Sequence, residues 1–172
     1  GEENQGWTYA KFLLMNERIG IAGTDVIRSG MDSIKMMHDH LSETAGESYD
    51  PQTVARRYAE LGVRLDALEM LEARALTAAE GSGESMILPL PLKLLGTHLQ
   101  QDVADLSIDI LGDSALPRIG HGFGENEGGN EPSIREHGPG AMRTMLSGRA
   151  STIYGGTSEV QRGIMSKFVL GL

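Results

Sequence analysis

Trp7–Gly23 reads WTYAKFLLMNERIGIAG, and the spacing of its apolar residues decides the fold class. Phe12, Leu13, Met15, Ile19 and Ala22 recur at helical intervals, not in strict alternation. The same period continues through Val26, Ile27, Met31, Ile34, Met37 and Leu41. It predicts a short helix over about 6–15 and a long one over about 16–44, with a loop across Glu43–Ser48. Asp50-Pro51 is a helix start: Asp caps the free N–H groups, and Pro takes the first position, where its missing N–H costs nothing. That helix carries Val54, Tyr58, Leu61, Leu65, Leu68, Leu71 and Leu76 on one side and ends at Gly81-Ser82-Gly83. A further helix lies within Ile87–Leu111, cleanest from Leu92, and stops at Gly112. Residues 112–140 are rich in turn formers, with seven glycines between 120 and 140, and read as a long loop. Helical patterns return over Met142–Ser147 and from Thr157 onward through Val160, Ile164, Phe168 and Val169. No strand period and no internal repeat occur. The expectation is an all-α, antiparallel four-helix bundle, a single helical domain over 1–172.

Composition narrows the function. The chain has 172 residues, with 15 Lys+Arg against 24 Asp+Glu and a net charge of −9, which argues against a nucleic-acid partner. No apolar run approaches the ~20 residues of a membrane span, so no membrane partner is expected. Without cysteine there are no disulfides, thiolate nucleophiles or Cys-ligated zinc. That absence fits a reducing compartment, and the expected location is cytoplasmic. The chain opens at Gly1 without Met and reads as part of a longer polypeptide.

Two segments carry candidate chemistry. Glu17 has Leu13, Leu14 and Ile21 at i−4, i−3 and i+4, on its own helix face. A carboxylate there is either a surface charge beside Arg18 or a base held for proton abstraction. Arg149–Arg162 reads RASTIYGGTSEVQR. Gly155-Gly156 lets the backbone approach a ligand closely, Thr157 or Ser158 can cap the next helix, and that helix N-terminus can seat an anion. A plain helix–turn–helix junction reads the same way. Residues 133–172 hold five Lys/Arg and two Asp/Glu, a basic end that suits an anionic cofactor or substrate. His38, His40, His98, His121 and His137 show no metal-ligand spacing, so no metal is expected. Gly120-His121-Gly122-Phe123-Gly124 is not followed by a helical pattern and is no dinucleotide fingerprint.

GEENQGWTYAKFLLMNERIGIAG at the start, LKLLGTHLQQDVADLSIDILG in the middle and RASTIYGGTSEVQRGIMSKFVLGL at the end together resemble the C-terminal helical domain of acyl-CoA dehydrogenases. The resemblance implies an FAD-dependent enzyme that forms trans-2-enoyl-CoA, a base taking the α-proton while the β-hydrogen leaves as hydride to the flavin. It also implies an N-terminal helical and a middle β domain that this chain lacks. Many members place the base inside the Tyr-Glu-Gly-Thr motif; here that position is Gly155. Another branch places it early in the long helix before an Arg, which here is Glu17 followed by Arg18. By this resemblance Glu17 is catalytic, Arg18, Gly155 and Gly156 bind substrate, and Thr157, Ser158 and Glu159 bind FAD. The family's Gln-x-x-Gly-Gly stretch, which reaches a neighbour's flavin, is here Asp109-Ile110-Leu111-Gly112-Asp113. Implied partners are an acyl-CoA, electron-transfer flavoprotein as acceptor, and a homo- or hetero-oligomer, dimer or tetramer. A non-catalytic assembly subunit and a related flavoprotein oxidase or desulfinase are the alternatives. Helical minima in far-ultraviolet circular dichroism are the expected outcome; a strand-dominated spectrum would refute the fold.

Overall fold

The first apolar run folds as two helices that meet at a glycine. In the computed structural model, α1 spans Gly6–Ala22 and α2 spans Thr24–Thr44. The structure describes residues 1–46, 49–79, 81–116 and 138–172. Gly23 sits in the left-handed region at φ 60°, the usual end of a helix, because only a residue without Cβ takes that conformation freely. The expected break near residue 15 is therefore displaced to Gly23. An unbroken hydrophobic period runs through both helices, so periodicity alone does not mark their junction.

Later elements follow local chemistry more closely. α3 spans Pro51–Thr77. Asp50 caps it, its Oδ1 accepting the N–H of Gln52 at 3.1 Å and of Thr53 at 3.2 Å. The Thr53 contacts hold the Asp50 carboxyl below its usual pKa. A short α4, Gly83–Ile87, is capped by Ser82, whose Oγ accepts the Ser85 N–H at 3.2 Å. α5 runs Pro89–Leu111, earlier than the clean pattern from Leu92. Both prolines fall among the first residues of the helix, whose N–H groups have no intrahelical partner to lose. A 3₁₀ turn at Gly112–Ala115 opens what read as a long loop, and α6, Gly138–Gly148, already occupies its last residues. Most of that expected loop, 117–137, lies outside the described residues. A 3₁₀ turn at Arg149–Thr152 leads on, after a turn, to α7, Ser158–Met165, which continues into a π-helical turn at Ser166–Leu170. The described residues are all-helical, with no strand.

The chain divides into two compact units. One comprises Gly1–Asp25, Arg64–Leu99 and Ala150–Leu172. Its core includes Ala22, Leu65, Leu68, Ala75, Leu88, Leu90, Leu92 and Leu99. Thr24 donates its hydroxyl to Glu72 Oε2 at 2.6 Å, tying the start of α2 to α3. The other comprises Val26–Val63 and Gln100–Arg149. Ile27, Met31, Ile34 and Met37 of α2 are buried there, as are Leu61, Val103, Leu106 and Ile110. Arg57 pairs with Asp109 at 2.7 Å and Arg149 pairs with Asp105.

Within the first unit α5 passes very close to the end of α1. A Cβ on Gly96 would lie 2.5 Å from the Ala22 carbonyl oxygen and 2.7 Å from Ala22 Cα. Those are backbone atoms and cannot rotate away. An alanine inside a helix gains about 1 kcal/mol over glycine, whereas overpacking costs about 1–3 kcal/mol. Gly96→Ala is accordingly expected to destabilise by up to about 2 kcal/mol despite its better helix propensity; a urea melt checks this, and a gain in stability would contradict the contact.

Candidate active site

Every site residue predicted from sequence falls in the first unit, which also contains the Gly155-Gly156 turn. Gly155 and Gly156 both have positive φ, 66° and 96°. Only glycine holds two such residues in succession at little steric cost. Neither glycine has room for a side chain: a Cβ on Gly155 would collide with Ile21 Cδ1 of α1, and one on Gly156 would lie 2.5 Å from Gln161 Nε2 of α7. Ile21 is one helical turn beyond Glu17 and shares its face. Thus α1 brings the Glu17 region and the glycine turn onto neighbouring ground.

The turn is fixed by two side chains that sequence reading had passed over. Lys93 of α5 is wholly buried, and its Nζ donates to Gly156 O at 2.8 Å. Gln161 of α7 is wholly buried too, and its Nε2 donates to Gly155 O at 3.2 Å and to Gly156 O at 3.3 Å. Burial pushes the Lys93 ammonium down from its usual pKa, the Arg18 charge pushes the same way, and Glu159 opposes both. The signal available in sequence was a lone cation inside the apolar run Leu90–Leu95. Gln161 had none beyond its place one turn after Thr157.

Glu17 itself is exposed on α1, so the apolar face inferred around it is open in this chain. Its neighbour Leu13 is 67% exposed, while Ile21 of that face meets the turn. Arg18 is half-buried. Burial lowers the pKa of its guanidinium, with Glu17 raising it, and the buried Nε has no hydrogen-bond partner. An orphaned guanidinium donor is a group that an acceptor from outside would satisfy.

Past the glycines, Thr157 caps α7 as expected, its hydroxyl accepting the Val160 N–H at 3.3 Å. Ser158 is buried, with its Oγ 3.5 Å from His98 Nε2. Glu159 is exposed, and its own backbone N–H and the Thr157 hydroxyl hold its carboxyl below the usual range, with smaller help from Arg162 and His98. Among the described residues, no group of three His, Asp or Glu could hold a metal ion. No described helix is long and apolar enough to cross a membrane.

Residues 4–170 match the family model of the acyl-CoA dehydrogenase C-terminal domain. The chain belongs to that family. The acyl-CoA dehydrogenase FadE26 of Mycobacterium tuberculosis is 24% identical over 185 residues, covering the whole of this chain and 41% of that protein. The acyl-CoA dehydrogenase IpdE1 of Mycolicibacterium smegmatis is 26% identical over 172 residues, again the whole chain and 38% of that protein. The chain therefore spans about two fifths of the length of these relatives.

In this acyl-CoA dehydrogenase domain Asp109, which opens the stretch Asp109–Asp113, belongs to the second unit and is engaged by Arg57. The conformation of Gly155 makes a side chain there costly. Left-handed backbone at a non-glycine residue costs on the order of 1–3 kcal/mol, and the Ile21 contact adds to it. Gly155→Ala is expected to lower stability by about 1–3 kcal/mol in thermal unfolding; an unchanged midpoint would show that the turn accepts a side chain.

Proposed function

We propose that this domain supplies the base and part of the flavin site of an FAD-dependent acyl-CoA dehydrogenase, with Glu17 as the base. The observation that carries the reading is the packing of α1 against the bare Gly155-Gly156 turn through Ile21, one turn from Glu17. Where other members carry a carboxylate, this turn has neither a side chain nor room for one. Glu17 is the carboxylate on the adjacent helix.

Bound FAD would supply the acceptor for the hydride leaving the β-carbon of the acyl group, and Thr157, Ser158 and Glu159 would hold it. The chain's own residues fit such a ligand. Arg18 Nε is a buried donor without an acceptor, and Thr157 and Glu159 stand at the N-terminus of α7. Arg18, Gly155 and Gly156 border the acyl group, and Thr157, Ser158 and Glu159 border the flavin. Glu17 takes the α-proton on a carboxylate oxygen and becomes the neutral acid. Loss of that proton and of the β-hydride leaves the trans-2-enoyl thioester. The partners follow from the reading: an acyl-CoA, electron-transfer flavoprotein as electron acceptor, and assembly as a homo- or hetero-oligomer, in the cytoplasm.

Glu17→Gln in the complete enzyme keeps shape and removes the base. Losing a positioned base costs about 10²–10⁴-fold, so kcat is expected to fall by that factor while the flavin absorbance of the purified protein is kept. Near-normal kcat would place the base elsewhere.

A further inference from the structure

We infer that Lys93 and Gln161 are positioning residues of this reaction, locking the Gly155-Gly156 turn and through it the place of the reacting carbons relative to Glu17. The inference rests on the reading of Glu17 and the glycine turn given above. It begins from a conformational problem. Two successive glycines are the most mobile backbone a chain can offer, yet this pair must hold one left-handed geometry. Neither has a side chain to pack, so only their peptide groups can be gripped. Three hydrogen bonds from two buried side chains do this: Lys93 Nζ to Gly156 O, and Gln161 Nε2 to both carbonyl oxygens.

The choice of donor is informative. Burying an ammonium is unfavourable unless it is well hydrogen-bonded, and a neighbouring guanidinium worsens the balance. An apolar side chain would fill the same space without that cost. What the lysine adds is a strong, charge-assisted hydrogen bond to the Gly156 carbonyl oxygen. Lys93 comes from α5 and Gln161 from α7, so the turn is gripped from two helices at once. Gln161 Nε2 also occupies the space above Gly156, where a Cβ would come within 2.5 Å of it. Neither side chain reaches the exterior, so both act on substrate only through the turn.

Lys93→Met, which keeps the stem and removes the donor, and Gln161→Glu, which sets a carboxylate against two carbonyl oxygens, test the inference in the complete, flavin-loaded enzyme. A misplacement of about 1 Å costs up to about 10²-fold in rate, so kcat is expected to fall about 10- to 100-fold while KM for acyl-CoA stays within about threefold. Amide hydrogen exchange of Ile153–Val160 is expected to rise, with exchange over Leu61–Ala75 of α3 unchanged. Any variant that keeps α3 protected decides the matter: unchanged kcat, or a fall in kcat that only follows lost flavin, overturns the inference. Loss of protection in α3 as well as in the turn, for both variants, makes the two residues ordinary core and also overturns it. Normal turnover in Glu17→Gln, alongside faster exchange and lower kcat in Lys93→Met, would reject the base and leave the grip on the turn standing.

Discussion

A single hydrogen bond, from the buried Lys93 ammonium to the carbonyl oxygen of Gly156, governs the unit that holds the candidate site. It joins the start of α5 to a turn with no side chains of its own. The conformation of that turn then sets the entry of α7, where Thr157 caps the first residues and buries Ser158 and Gln161 behind it. The lysine's own backbone carbonyl accepts the Thr97 hydroxyl at 2.9 Å, so the stretch of α5 that carries the ammonium is itself tied by a buried side chain. A charge without access to water is costly to keep, and its energetic return here is geometric order.

How far the fold was legible depended on whether a signal was local. Asp50-Pro51 started α3 as read, because capping and the missing proline N–H act within one turn. The junction of α1 and α2 was not legible. Gly20 and Gly23 both interrupt the same apolar period, and nothing in the sequence says which adopts positive φ; the structure assigns it to Gly23 while Gly20 stays helical. The start of α5 within Ile87–Leu111 is blurred for the opposite reason. Pro89 and Pro91 look like breakers until their position in the first turn is known.

The site was legible in its glycines and its cap, since Gly-Gly-Thr announces a positive-φ turn followed by a helix start. Its supports were not. Lys93 lies 62 residues from Gly155 in sequence, and no periodic pattern connects them. Apolar neighbours in sequence single out Glu17, but in the folded unit Leu13 is exposed while Ile21 meets the turn. Amphipathic reading finds which residues share a face; it does not find which part of that face is covered.

The left-handed Gly155 also constrains how this lineage can change. Members of the family that carry a glutamate in the motif and chains that carry one on the early helix differ at two places. The route between them does not run through a single substitution here. A side chain at 155 meets both an unfavourable φ and Ile21, so a smaller Ile21 relieves only one of the two costs. The turn would also have to leave its left-handed conformation, and a change that needs two adjustments at once keeps a chain on the side where it already stands.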